Sequence, residues 1–188
     1  MVPIREVSAG IAGAIQLAKF DRDGLLFFDD TEARFWLSFH AAVVVAPLFI
    51  VYVIVRYLTE PTADGFVHFV IIHMLSYVIS WVAFPLVMAH LVGQLDRQRH
   101  YFRFIAAYNW AGVLQNGVFI PIATLGITGA LSADLASSMT LIILLWVLGY
   151  TFFIVRAALD LPAGTAAAVV FMNFLLGLFI EAVTGRYV

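Results

Sequence analysis

Long apolar runs separated by short polar links dominate this chain. Because about 20 mostly apolar residues in a helix cross the ~30 Å hydrocarbon core of a bilayer, each run is long enough to span a membrane. The links are short and turn-rich, as in T-E-P-T-A-D-G and D-L-P-A-G, which makes sequence neighbours antiparallel neighbours in space. The pattern predicts an all-α, polytopic membrane protein with five transmembrane helices. The predicted spans cover approximately residues 35–58, 66–95, 103–126, 135–159 and 163–183.

The first thirty residues follow a different pattern. Apolar side chains recur there at helical spacing, while the polar ones fall elsewhere on the helix, as an amphipathic helix in the cytoplasmic interface requires. We therefore divide the chain into a cytoplasmic interfacial segment, residues 1–30, and a transmembrane domain, residues 31–188. Gly24 interrupts the helical pattern, and Asp29 or Asp30 is expected to cap the first spanning helix. The apolar positions are Ile4, Val7, Ile11, Ala14 and Ala18.

Composition agrees with membrane insertion and narrows the chemistry. The chain is 63% hydrophobic and 12% charged, with a mean hydropathy of +1.00, far outside the range of ordinary soluble domains. It contains no cysteine, so thiol nucleophiles and thiolate metal sites are excluded. The ten basic residues are scattered, which argues against nucleic-acid binding.

The basic residues predict the orientation. If the N-terminus is cytoplasmic, only Arg56 and Arg186 lie on the far side, in agreement with the positive-inside rule. We expect a bacterial inner (cytoplasmic) membrane protein with a cytoplasmic N-terminus and a periplasmic C-terminus. The residues on the cytoplasmic side are then Arg5, Lys19, Arg22, Arg34, Arg97, Arg99, Arg103 and Arg156.

Amide side chains interrupt the third and fifth apolar runs. Asn109 and Asn116 lie seven residues apart, on one face of the third helix, and Gln115 is adjacent. Asn173 falls at a comparable depth in the fifth helix. We interpret Asn109, Gln115, Asn116 and Asn173 as an interhelical polar cluster that hydrogen-bonds across helices. The same residues could instead line a pathway for a small solute or ion.

Two histidines offer a different chemistry. His40 and His90 lie at similar predicted depths near the cytoplasmic ends of the first two antiparallel spans. Paired histidines on facing helices are what a bis-histidine b-type haem or another metal centre requires. Interfacial hydrogen bonding by each histidine is the simpler alternative, and the expected cofactor content is therefore none.

The ionisable groups do not form a catalytic pattern. Arg156 and Asp160, spaced i, i+4, are expected to pair with each other or to snorkel at the cytoplasmic end of the fourth span. No phosphate-binding loop, H-E-x-x-H or G-x-S-x-G motif occurs, and the expectation is a protein that is not an enzyme.

Three segments carry a resemblance to a known family. They are F-D-D-T-E-A-R-F-W-L-S-F before the first span, Y-N-W in the third, and D-L-P-A-G-T-A-A-A-V-V before the last. With five closely spaced spans, this arrangement resembles the bacterial branch of the Yip1-like membrane proteins. The resemblance implies a non-enzymatic five-span protein and transfers no binding residue.

Three functional hypotheses follow. The first is a non-catalytic membrane protein that packs against lipid and partner membrane proteins, as an accessory or structural subunit of a larger complex. The second is a redox subunit with haem b between His40 and His90. The third is a small-solute or ion pathway along the amides.

Overall fold

The computed structural model describes residues 4–63 and 65–187, and every regular element in that range is helical. Within these residues, seven α-helices are joined by short connections, with 3₁₀ turns at Arg22–Phe27 and Gln98–His100. The helices are α1 (Ile4–Ala18), α2 (Glu32–Ser38), α3 (His40–Thr59), α4 (Gly65–Gln94), α5 (Tyr101–Ile127), α6 (Ala133–Leu159) and α7 (Ala163–Thr184).

Five segments of the described part of the chain are long and apolar enough to cross a membrane, which confirms the predicted fold class. The first combines α2 and α3, and the third includes the 3₁₀ turn before α5. Their bounds differ from the predicted spans by only a few residues at each end. The segments are Glu32–Thr59, Gly65–Gln94, Gln98–Ile127, Ala133–Leu159 and Ala163–Thr184.

Thr31, rather than Asp29 or Asp30, caps the first span. The Thr31 hydroxyl accepts a hydrogen bond of 3.4 Å from the Arg34 backbone N–H, because Thr31 immediately precedes the helix. Asp29 contacts the Arg34 side chain at 3.2 Å instead. Asp30 accepts a 3.2 Å hydrogen bond from the backbone N–H of Arg103. Its carboxylate therefore caps α5 from outside that helix.

The five spans form a closed circuit in which α3, α4, α7, α6 and α5 follow one another and α5 returns to α3. We call the end with connections 95–97 and 160–162 the basic end. The Arg97 guanidinium joins these connections by donating to the carbonyls of Leu159 and Asp160 at 2.9 and 3.2 Å. The other end is called the opposite end below.

Helix α1 packs into the basic half of this bundle. Ala14 and Leu17 are fully buried, and the Tyr150 hydroxyl of α6 donates a 2.6 Å hydrogen bond to the Ala14 carbonyl. Gly10 lies against the Trp110 ring of α5. Tyr150 and Trp110 are each nine residues, about 13 Å, from the basic ends of their helices. The predicted N-terminal helix is present, and it reaches well inside the bundle.

The basic half of α5 is buried on nearly all sides. Residues 104–107 and 109–111 are buried, whereas residues 112–119 are partly or fully exposed. Ala106, Ala107 and Ala111 allow α1, α2, α3 and α6 to approach this half closely. A helix that is apolar on all faces is expected at such a position. The two halves of α5 therefore have different surroundings.

The contact between Gly10 and Trp110 predicts that a larger residue at position 10 destabilises the folded protein. A Cβ at position 10 would overlap the Trp110 ring, so Gly10→Ala should destabilise the protein by roughly 1–3 kcal/mol through overpacking. Gly117→Ala is the matched control, because a Cβ there meets no atom within 4 Å and alanine favours a helix by up to about 1 kcal/mol. Thermal unfolding in detergent measures both. Equal midpoints for the two variants would contradict the packing of α1 described above.

Candidate functional site: a polar cleft within the helix bundle

Asn109 links α5 to the break between α2 and α3. Its amide N–H donates to the Ser38 hydroxyl at 2.9 Å, and Ser38 donates to the Phe35 carbonyl at 2.7 Å. Asn109 and Ser38 are both fully buried. This part of the predicted cluster is therefore a structural hydrogen-bond chain in the basic half of the bundle.

The other three amides meet around a common space further along α5. The Gln115 side-chain N–H donates to the Thr151 hydroxyl of α6 at 3.3 Å. The side-chain amide oxygen of Asn173, on α7, accepts from the Tyr108 hydroxyl at 3.2 Å. Asn116 donates to the Gly112 carbonyl of its own helix at 2.8 Å. Two of the three thus bond to another helix, in each case to a hydroxyl group and not to another amide.

These amides line a cleft between α3, α4, α5 and α7, which we call the polar cleft. Its inner cavity has a volume of about 330 Å³. Aromatic rings, among them Phe49 and Trp81, form much of the remaining wall. The polar residues of the inner cavity are Ser76, Tyr77, Ser80, Tyr108, Gln115, Asn116 and Asn173.

Helix α4 contributes hydroxyl groups that were not identified from the sequence. Ser76, Tyr77 and Ser80 lie on one helical face with His73 and Phe84, and this face lines the polar cleft. The spacing of these residues was a usable signal, since i, i+3, i+4 and i+7 positions share a face. Serine and tyrosine are common in membrane helices, however, so only the amides were predicted to form a polar cluster.

A second cavity of about 420 Å³ continues the cleft toward the opposite end. It shares Ser76 and Ser80 with the inner cavity and adds Arg56, His73 and Glu181. These three are the ionisable side chains that line the cleft, apart from tyrosine. The cleft therefore has a mouth with charged groups and an interior with neutral ones.

Aromatic side chains close the cleft toward the basic end. The ring of Phe84 lies 4.6 Å from that of Tyr108 and 6.1 Å from that of Phe104. Phe84 and Phe104 are buried at 1% and 0% exposure. Beyond this layer the bundle is filled by the packing of α5. This aromatic layer separates the cleft from the basic half of the bundle.

The predicted ion pair between Arg156 and Asp160 does not form within the described residues, whose ion pairs within 4.0 Å involve other side chains. The prediction required both residues to be helical. Helix α6 ends at Leu159, and Asp160 adopts the left-handed conformation (φ 49°, ψ 53°). That conformation removes Asp160 from the helical i, i+4 relationship.

The two histidines of the haem hypothesis make separate hydrogen bonds. The Nδ1 atom of His40 lies 2.9 Å from the carbonyl oxygen of Leu37, at the break between α2 and α3. His90 is exposed and accepts from the Gln94 amide at 3.1 Å. Neither ring lines the cavities described here.

The register of α3 and α4 places these histidines at different depths. Phe49 of α3 and Tyr77 of α4 stack with ring centroids 4.5 Å apart, which fixes the register of the two antiparallel helices. Equal numbers of residues from this pair toward the basic end lead to His40 on α3 and to Leu86 on α4, so these two residues lie opposite each other. His90 is one turn, about 6 Å, closer to the basic end. Haem binding by this pair stays a prediction that the geometry does not favour.

The fold and the cleft define a class: a five-span α-helical membrane protein with a polar cavity inside the bundle. In comparisons with known proteins, no family model, curated protein or solved structure matches the chain. The functional argument therefore rests on the cleft itself.

Water access to the cleft can be tested on single-cysteine variants, since the native chain has no cysteine. Ser80 lines the cleft, whereas the adjacent Ile79 is 51% exposed and does not line it. In lipid nanodiscs, Ser80→Cys should react with a charged methanethiosulfonate reagent about tenfold faster or more than Ile79→Cys, because an apolar environment disfavours the reactive thiolate. Intact-protein mass spectrometry follows the reaction. Equal rates at the two positions would show that the cleft is filled by lipid.

Proposed function

We propose that the protein is a non-catalytic membrane protein that binds a small polar solute in the polar cleft, as a step in moving that solute through the membrane. The observation that supports this proposal is the row of hydroxyl and amide groups around the inner cavity. Polar groups in an apolar environment are costly unless they have hydrogen-bond partners. A shared space surrounded by them therefore favours a polar occupant, and intramembrane polar residues often mark such pathways.

The charges around the cleft favour an uncharged or zwitterionic solute. Its inner cavity is lined by neutral hydroxyl, amide, aromatic and aliphatic groups. An ion with a net charge would lose hydration there without gaining a counter-charge. At the mouth, Arg56 and Glu181 offer one charge of each sign, a pattern that complements a zwitterion.

The aromatic layer of Phe84, Phe104 and Tyr108 favours a binding step over an open channel. A solute that enters from the opposite end would stop at this layer, and passage to the basic end would need a change in helix packing. The proposal is therefore a gated pathway, in which the observed cleft is one open state.

The positive-inside rule supports a cytoplasmic basic end and a cleft that opens to the far side. We place the protein in a bacterial inner membrane, with its N-terminus in the cytoplasm and its C-terminus in the periplasm. The basic end carries Arg97, Arg99 and Arg103, whereas Arg56 and Arg186 lie toward the opposite end.

An accessory role in a larger complex is a second proposal. One face of α4 exposes an apolar stripe at helical spacing, which suits either lipid or a partner membrane helix. The resemblance to Yip1-like proteins is compatible with this role. The stripe consists of Ile71, Leu75, Val78, Ile79, Val82 and Leu86.

If the polar cleft binds a small solute, that solute should stabilise the folded protein against thermal unfolding. Glycine, as a zwitterionic probe, and urea, as an uncharged one, should be tested over millimolar concentrations in detergent for an increase in the unfolding midpoint. At least one probe should raise the midpoint, and Asn116→Leu should abolish the increase by replacing a cleft amide with an apolar side chain. Val118→Leu is the control, because Val118 is exposed on the same helix and lies outside the cavity lining. The absence of any effect from either probe, or the same effect in Asn116→Leu, would contradict the proposal.

The orientation makes the second prediction. Ala130 and Gln98 are exposed residues in connections at the opposite and basic ends. In intact bacterial cells, a membrane-impermeant thiol reagent should label Ala130→Cys and leave Gln98→Cys unlabelled until the cells are lysed. Labelling of Gln98→Cys but not of Ala130→Cys in intact cells would show the opposite orientation and contradict the proposal.

A further inference from the structure

A second site lies at the basic end, apart from the polar cleft. A cavity of about 360 Å³ is lined by Phe20, Arg22, Phe153 and Arg156, with Gly149 and Phe152 at its inner side. These last two residues also line a groove of about 430 Å³ between α6 and α7. The two cavities therefore adjoin at these residues, with arginines lining the first cavity and apolar side chains lining the second.

The apolar part runs down the outside of the bundle. Besides Gly149 and Phe152, it is lined by Leu148 of α6 and by Ala167, Val170, Phe171 and Phe174 of α7. Ala167 and Phe174 lie four and eleven residues after the start of α7, or about 6 and 16 Å from the basic end. In a leaflet ~15 Å thick, this range covers the middle and lower parts of a lipid acyl chain.

Gly149 lies where the two cavities adjoin. A Cβ at this position would meet no atom within 4 Å, so the missing side chain leaves open space where the basic cavity and the groove join. Gly149 is also about 15 Å from the end of α6. A larger residue here would fill the junction without clashing with the bundle.

The polar end carries an excess of positive charge. Arg22 and Arg156 are both exposed, and neither belongs to an ion pair within 4.0 Å among the described residues. The neighbouring Asp21 carboxylate is engaged within its own segment. It accepts hydrogen bonds from the Asp23 backbone N–H at 3.0 Å and the Gln16 amide at 2.9 Å, and these donors lower its pKa. Asp21 does not line the cavity, and the charged residues that do are Arg22 and Arg156, so both guanidinium groups are available to an anion.

Phe20, which lines this site, has an unusual backbone conformation. Phe20 follows the end of α1 with φ 61°, in the left-handed position that glycine commonly occupies after a helix. Its ring packs edge-on against Phe153, with centroids 5.5 Å apart, although Phe20 is 53% exposed. A non-glycine residue in this conformation is strained, and such strain clusters at ligand sites.

We propose that this site binds an anionic phospholipid. Its phosphate contacts Arg22 and Arg156, and one acyl chain follows the groove past Gly149 between α6 and α7. Arginine recognises phosphate through paired N–H donors, and the arginines lie about where the headgroups of the leaflet at the basic end would be. The apolar continuation distinguishes a lipid from a free phosphate compound, which would leave the groove empty.

Lipid binding to the full-length protein in a mild detergent tests this site. Native mass spectrometry should show at least fivefold tighter binding of phosphatidylglycerol than of phosphatidylcholine. The double variant Arg22→Gln/Arg156→Gln should lose this preference. Arg186→Gln, which removes an arginine at the opposite end, should keep it.

Two further measurements separate headgroup from chain recognition. Gly149→Leu should weaken the binding of both lipids several-fold, because it fills the junction with the groove, while the unfolding midpoint shows that the variant is folded. Free glycerol 3-phosphate should not displace the bound lipid at equal concentration. Equal wild-type affinities for the two lipids, a preference retained by the double arginine variant, or displacement by glycerol 3-phosphate would each overturn the proposal.

Discussion

The structure depends on close packing around the basic half of α5. Small side chains at Ala106, Ala107 and Ala111 let neighbouring helices approach this segment, and α1 fills the remaining space against Trp110. Tight van der Waals contact of this kind is the main force between helices in a membrane, where burial against lipid gains little. Beyond this segment α5 becomes partly exposed, and its face toward α3, α4 and α7 lines the polar cleft.

This division explains why chemically similar amides have different roles. Asn109 lies in the filled half, where its bond to Ser38 helps to secure the break between α2 and α3. Asn116, seven residues later on nearly the same face, lines the open cleft. Depth along the bundle, rather than residue type, decides whether an amide is structural or available to a solute.

Hydropathy predicts the five spans because every spanning helix must be apolar over its full length. It does not predict the position of α1, since the residues that bring it close to α5 and the 3₁₀ turn are Gly10 and Gly13, which carry no apolar side chain. The break at Phe39 is marked by neither glycine nor proline. Three of the four amides predicted as one cluster line the cleft. The spacing of the α4 hydroxyls places them on one helical face, but only the packing of the other helices shows that this face meets the cleft.

The most direct test of this account is a water-accessibility profile along α4 in lipid nanodiscs, from nitroxide labels whose relaxation is measured with a water-soluble nickel complex. The account predicts high accessibility at Ser76 and Ser80, low accessibility at the lipid-facing Ile79, and a sharp fall at Phe84 that continues to Met88. Accessibility that continues past Phe84 would mean an open pore, and uniformly low accessibility at Ser76 and Ser80 would mean that the bundle has no polar cleft. Either result would contradict a bundle that is filled at its basic half and open at the other.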